Sequence, residues 1–123
     1  VAIDAGASVV IGHHPHILQG IERYRDGIIL YSLGNFTFGS YSMNSARAAV
    51  AQLRFRNARL QNVRLFPINV NNFEVQFQPL PLTGTAADAV IDELRTLSAA
   101  LNTQVHNDNG TGVVTLEESV PVP

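Results

Sequence analysis

Ser8-Val9-Val10-Ile11-Gly12 is a β-branched, uncharged run stopped by a glycine, and His13-His14-Pro15-His16 follows it directly. A β-branched strand without a charged side chain reads as covered on both faces, which is the habit of parallel sheets in α/β folds and not of one-sided antiparallel sheets. The preceding Val1-Ala2-Ile3-Asp4-Ala5 reads as a last helical turn, with Gly6 placed to take the left-handed backbone that ends a helix. A helix entering a buried strand through a two-residue link is an α/β arrangement. In such sheets ligands gather beyond the carboxyl ends of the strands, which is where the histidines fall.

The rest of the chain is richer in strand signals than in helix signals. Ile17–Arg25 is extended, and Asp26-Gly27 predicts a hairpin turn into a strand over Gly27–Leu33. Gly34-Asn35 interrupts that strand, Phe36-Thr37-Phe38 resumes it briefly, and Gly39–Ser45 is a polar loop. Ala48–Arg56 and Arg59–Val70 form a strand pair around an Asn57-Ala58 turn, with a break expected at Pro67. After a turn at Asn71-Asn72, the alternation in Phe73–Phe77 predicts another strand. Pro79 and Pro81 mark a linker. Thr85 and Asp88 have capping-box spacing, and Ala87, Ile91, Leu94, Leu97 and Leu101 recur at helical spacing, so a helix is expected over 85–102. Asn107–Gly110 is a turn, Gly112–Leu116 a last strand, and Val120-Pro121-Val122-Pro123 a tail. The expected organisation is one domain-sized unit over 1–123, strand-rich over 1–82, with a helix, a strand and the tail over 83–123. Tyr31, Phe36, Phe38 and Phe55 are expected in the core or between sheets.

Composition removes several function classes. All eight cations are arginine and there is no cysteine. Lysine Schiff-base chemistry, P-loop phosphate binding, disulfides and thiolate metal sites are therefore excluded. The net charge of −2 offers no basic stripe for nucleic acid. No apolar run reaches the roughly 18–20 residues of a membrane-spanning helix. Charged residues make up only 15 % of the chain, against roughly a quarter in ordinary soluble domains. A face that packs on further protein would explain the deficit, and a homodimer through such a face is one expectation. With no methionine at position 1, the chain reads as a piece of a longer protein.

Three of the four histidines lie within four residues. Neutral imidazole is the commonest protein ligand for zinc, manganese and iron. Pro15 disfavours the helical region at His14, so an extended backbone is expected there, with His14 and His16 on one side and His13 on the other. The plain alternative is a polar loop whose imidazoles cap neighbouring backbone. No carboxylate accompanies the cluster, and Asp4 is the only acid before it. A two-metal centre needs bridging carboxylates to hold its ions about 4 Å apart.

Ile3-Asp4-Ala5-Gly6-Ala7, Val10-Ile11-Gly12-His13-His14-Pro15-His16 and Ile29-Leu30-Tyr31-Ser32-Leu33-Gly34-Asn35-Phe36 together resemble consecutive signatures of CapA-type poly-γ-glutamate capsule proteins. This family is a branch of the calcineurin-like metallophosphoesterases. Gln78–Gly84 and Leu97–Asn102 resemble its later region. The resemblance covers nearly all of this chain, but only the C-terminal part of the family's domain. It implies an α/β fold leaning to α+β: part of an α/β/β/α sandwich, mainly its C-terminal sheet with a flanking helix.

The resemblance also implies roles for residues. His14 and His16 would be metal ligands, and His13 either an alternative ligand or the catalytic group facing a substrate phosphate. Asn35 would hold a ligand from behind or shape the loop, the plainer reading being a Gly-Asn bulge. Arg23 and Arg25, flanking Tyr24, are candidate anion-binding residues, and Arg54, Arg56, Arg59 and Arg64 gather in the middle hairpin. The cofactor implied is a pair of divalent ions, manganese, zinc or iron, in the full-length parent, with none expected on this piece alone. The family's Asp, Gly-Asp and Asn-His elements would precede residue 1.

Two functions follow as expectations. The parent is a metal-dependent phosphoesterase of capsule synthesis, inactive as this isolated piece, or it is a non-catalytic assembly or export subunit binding anionic polymer or the synthase. The expected partners are the N-terminal half of the domain, synthase components and polymer. The expected place is the cell envelope, outside the cytoplasm and anchored through the missing N-terminal region.

Overall fold

The computed structural model describes residues 1–116, so the Val-Pro-Val-Pro tail lies outside the described residues. Residues 2–6 form a turn in which Ala5 N–H donates to the Val1 carbonyl at 2.9 Å, and Gly6 takes a φ of +104°. The chain then enters β1 (Val9–Ile11), β2 (Ile21–Tyr24) and β3 (Gly27–Leu30). These make a three-stranded sheet in the order β1-β3-β2. β1 runs parallel to β3 with Ile11 opposite Leu30, whereas β2 is antiparallel to β3. Tyr24 faces Gly27, so the hairpin turn is Arg25-Asp26, one residue earlier than the Asp-Gly pair suggests. Arg25 carries the left-handed φ of +52°.

The second sheet comprises β4 (Arg47–Arg56), β5 (Arg59–Asn69), β6 (Leu80–Pro81), β7 (His106–Asp108) and β8 (Thr111–Thr115). Its order is β4-β5-β8-β7, with β6 paired to β5. Asn57 and Ala58 both have positive φ, at +49° and +59°, the geometry of a tight hairpin turn whose twist suits the strands. β5 continues through Pro67 without the expected break. A strand residue points its N and its carbonyl to the same edge. Pro67 gives its carbonyl to Leu82 N–H at 2.9 Å, so its missing N–H lies away from the β4 ladder. Pro81, expected in a linker, belongs to β6.

Three further expectations are corrected. Residues 36–37 form a bend and Phe38 is irregular, so none of them is strand. The alternating Phe73–Phe77 segment is not a strand either: α1 (Asn72–Val75) occupies its start. The Asn71 side chain accepts from Phe73 N–H and the Asn72 side chain from Phe77 N–H, so two amides satisfy the backbone locally and outweigh the alternation. The long helix α2 (Gly84–Ala99) has Thr83 as its N-cap, without a side-chain bond, so Thr85 and Asp88 form no capping box. Asp88 accepts instead from Asn107 Nδ2 at 2.7 Å.

One core joins both sheets and the helix. Ile21, Ile28 and Leu30 of the first sheet meet Val63, Leu65 and Val114 of the second and Val90, Ile91 and Leu94 of α2, all essentially without solvent exposure. Burying a side chain of this size is worth about 1.5–3 kcal/mol. The architecture is α+β, a mixed sheet and an antiparallel sheet with one long helix, as expected for part of a metallophosphoesterase-like sandwich. Tyr31, Phe36, Phe38 and Phe55 are not core residues: each is exposed, because the core faces are taken by aliphatic residues and Phe36 and Phe38 lie on a loop.

Candidate functional site

The parallel pairing of β1 with β3 decides where the histidines go. Both strands leave the sheet at the same end, so Gly12–His16 and Tyr31–Phe36 emerge side by side. Gly12 N–H donates to the Leu30 carbonyl at 2.7 Å. A Cβ at Gly12 would collide with the Tyr31 carbonyl, so only glycine permits this approach. Gly34 has a φ of +79°, and a Cβ there would lie 2.9 Å from Ala48 Cβ. These two glycines let the motif segments converge and let the second turn towards the other sheet.

The convergence forms an open cleft of about 360 Å³ lined by His13, His14, His16, Asn35, Phe36 and Phe38 among others. Asn35 is buried, and its Oδ1 lies 2.7 Å from His16 Nδ1. A carbonyl oxygen has no proton to give, so His16 Nδ1 is the donor, and in a neutral imidazole Nε2 then keeps its lone pair. The Phe38 ring stacks on the His16 ring with centroids 4.2 Å apart. The His14 and His16 centroids are 6.3 Å apart.

The expected extended backbone at His14 is not found. His14 has a φ of +111° and His16 of +59°, both in a region that side-chain-bearing residues rarely occupy. Such strain costs on the order of 1–3 kcal/mol per residue and clusters at functional sites. Pro15 restricts its neighbour, but the close packing of the two motif segments decides the backbone here.

Imidazole nitrogen is the right chemistry for a divalent transition ion, and the His16 tautomer suits a ligand. Among the described residues, however, no group of three or more His, Cys, Asp or Glu side chains is placed to hold an ion. Among the described residues the cleft lining contains no carboxylate. The residues therefore fit one edge of a metal site and do not complete one.

Arg23 and Arg25 are absent from the cleft lining. Arg23 Nη2 donates to the Leu116 carbonyl at 3.1 Å. Arg25 pairs with Asp4 at 3.0 Å and lies over the Tyr24 ring. Their short sequence distance from the histidines does not bring them to the site, because β2 carries them to the far end of the sheet. Phe38 and Asn72 went unnoticed as site residues in the sequence. Phe38 reads there as a core aromatic and Asn72 as a turn residue, and nothing local indicates a contact between segments 34 residues apart.

Residues 1–40 match the family model described as bacterial capsule synthesis protein PGA_cap, a match that spans both motifs. The chain is 37 % identical over 81 residues to the capsule biosynthesis protein CapA of Bacillus anthracis, covering 66 % of this chain and 19 % of that protein. It is 37 % identical over 68 residues to the PGA biosynthesis protein CapA of Bacillus subtilis strain 168, covering 55 % of this chain and 18 % of that protein. An uncharacterized protein, y4sH, of Sinorhizobium fredii is 58 % identical over 36 residues, which is 29 % of this chain and 8 % of that protein. The chain thus spans less than a fifth of the length of these curated relatives. The family match over residues 1–40 and the CapA relatives support reading the chain as a piece of a CapA-type capsule biosynthesis protein.

Proposed function

We propose that this chain supplies the histidine edge of a metal-dependent phosphoesterase site in a protein of capsule biosynthesis. The observation that carries the reading is the bond between Asn35 Oδ1 and His16 Nδ1. A ligating histidine is usually held through its other nitrogen by an amide or carboxylate oxygen, and such partners tune metal affinity. His16 and His14 would be the ligands in this reading. His13 contacts the phosphate oxygens. When bound, the ions would polarise the phosphoester and lower the pKa of an attacking water. The carboxylates that complete the centre come from outside this chain, so the isolated piece is inactive. The further partners are the synthase and its polymer, and the place of action is the cell envelope, with an anchor outside this sequence. Among the described residues no helix is long and apolar enough to cross a membrane.

Metal analysis of the complete gene product tests the reading. A stoichiometric divalent ion is expected, with loss of the ion and of chromogenic phosphoester hydrolysis in His16→Ala. A wild-type protein free of tightly held ions, or a His16→Ala variant with full metal content, sinks it.

A second reading, a non-catalytic subunit that holds anionic polymer, is favoured by the charge distribution. Residues 27–73 contain five arginines and no Asp or Glu. At the tip of the β4–β5 hairpin Arg56 stands directly opposite Arg59, a destabilising pairing unless an anion lies between. Among the described residues neither of them, nor Arg54, has an ion pair. Replacing Arg54, Arg56 and Arg59 by serine should abolish retention of polyglutamate and leave metal content intact. Unchanged retention removes this reading.

A further inference from the structure

The loop after Asn35 has few ties to the rest of the fold, and one side chain provides the tie nearest the cleft. Asn72, at the start of α1, is buried at 5 % exposure. Its Nδ2 donates to the Phe38 carbonyl and to the Ser40 carbonyl, both at 2.7 Å. Its Oδ1 accepts from Phe77 N–H at 3.0 Å. Every donor and one acceptor lobe of the amide are thereby engaged, and only an amide offers that combination. Among the described residues the other bonds of residues 36–40 are the internal one from Ser40 N–H to the Phe38 carbonyl at 2.8 Å and two at the Ser40 hydroxyl, with Ser45 Oγ at 2.9 Å and from Ser42 N–H at 3.2 Å. None of these holds the Phe38 end to another element as Asn72 does. Phe38, whose carbonyl Asn72 holds, stacks its ring on His16.

We propose that Asn72 is a positioning residue for His16. Two constraints fix the imidazole: Asn35 holds its Nδ1 edge, and Phe38 covers one face. The first is built into the strand end. The second depends on where the loop backbone lies, and Asn72 sets that by gathering two loop carbonyls onto one nitrogen. Without the clamp Phe38 swings off His16, and the ring gains freedom to rotate away from Asn35. The Nδ1–H tautomer that leaves Nε2 open is then no longer enforced. Phe38 itself is half exposed, so its place over His16 is not secured by burial. This deepens the reading of His16 as a ligand, and rests on that reading only for metal affinity.

The test uses the complete gene product carrying Asn72→Asp, Phe38→Ala or Asn72→Gln. The aspartate keeps the shape but presents oxygen to two carbonyls, whereas Phe38→Ala removes the ring and leaves the buried amide alone. Two readouts are taken: the His16 ring nitrogens in long-range proton–nitrogen NMR of histidine-labelled protein, and titration with zinc ion alone. Asn72→Asp and Phe38→Ala should both shift His16 from one tautomer to a mixture and weaken zinc binding about tenfold, the lower end of the range for residues supporting a ligand. Asn72→Gln, which retains the amide, should restore part of both signals. If Asn72→Asp does not fold, Phe38→Ala decides alone, since an exposed ring can be removed without opening the core. A single unchanged His16 tautomer in Phe38→Ala, or in a folded Asn72→Asp, overturns the proposal. Should zinc binding prove independent of His16 altogether, the ligand reading fails while the NMR readout still decides on Asn72.

Discussion

Ser98 Oγ accepts a hydrogen bond from Ile21 N–H at 3.0 Å, and both residues are fully buried though 77 positions apart. This bond fastens the end of α2 to the first residue of β2. Gly20 makes it possible, since a Cβ there would lie 2.7 Å from the Leu97 carbonyl. Helix and sheet therefore meet backbone to backbone, with a serine hydroxyl as the connector. Ser98→Ala should destabilise the protein by about 1–3 kcal/mol, the cost of a buried donor left without a partner. Denaturant unfolding measures it, and an unchanged midpoint would mean that Ile21 N–H finds another acceptor.

Gly34 and Gly39 lie five residues apart on the same loop and should respond oppositely to alanine. Gly34→Ala meets a left-handed backbone, worth about 1–2 kcal/mol of strain, and the Ala48 methyl at 2.9 Å. A methyl on Gly39 would have no heavy atom within 4 Å, and the backbone there has no positive φ. Gly34→Ala should lower stability and loosen the Asn35–His16 bond, whereas Gly39→Ala should be neutral or slightly stabilising. Thermal melting of the two variants side by side gives the comparison, and equal melting temperatures would contradict it.

Ala58 is a position where a substitution should help. Its φ of +59° puts an alanine in the second place of a tight hairpin turn that favours glycine. Relief of about 1–2 kcal/mol of left-handed strain outweighs about 0.5–1 kcal/mol of added chain freedom in glycine. Ala58→Gly should therefore stabilise the protein by roughly 0.5–1 kcal/mol. A lower unfolding midpoint in this variant would show that the methyl packs usefully.

Tyr31 donates its hydroxyl to the Glu22 carboxylate at 2.6 Å. That bond, with desolvation and the negative charge beside it, holds the phenol above its ordinary value. A raised pKa means that the pair's contribution is fully present below the unfolded phenol value of about 10 and is lost as pH climbs through the folded value. Ultraviolet titration of phenolate should show Glu22→Gln moving Tyr31 down towards its usual range. A Tyr31 titration indifferent to that change would mean that the bond does not persist in solution.

Much of the strand content was legible because strands announce themselves locally. Val9–Ile11, the Arg47–Arg56 and Arg59–Asn69 pair with its Asn57-Ala58 turn, and the periodic stretch within Gly84–Ala99 each follow from side-chain patterns a few residues long. Phe73–Phe77 misleads for a physical reason: its alternation is real, but Asn71 and Asn72 satisfy the backbone in a helical turn instead. Phe36 and Phe38 mislead because hydrophobicity alone does not separate a core ring from one that lines a cleft or, as Phe38 does, covers a histidine.

The sequence by itself determined that His13, His14 and His16 follow a short strand, Val9–Ile11, though that strand is only half-buried with Ile11 57 % exposed, and that Gly34-Asn35 lies beyond a second strand, which ends at Leu30. Local chemistry suffices for this, because proline and β-branched residues restrict their own dihedrals and glycine accepts dihedrals that other residues avoid. Only the tertiary structure decided that Asn35 holds His16, that Phe38 covers it and that Asn72 holds Phe38. Those contacts depend on β1 pairing in parallel with β3 and on the loop after Asn35 crossing to α1. Pairing of that kind is a property of the whole core, where Ile28, Leu65 and Leu94 exclude water together, and no short stretch of residues encodes it.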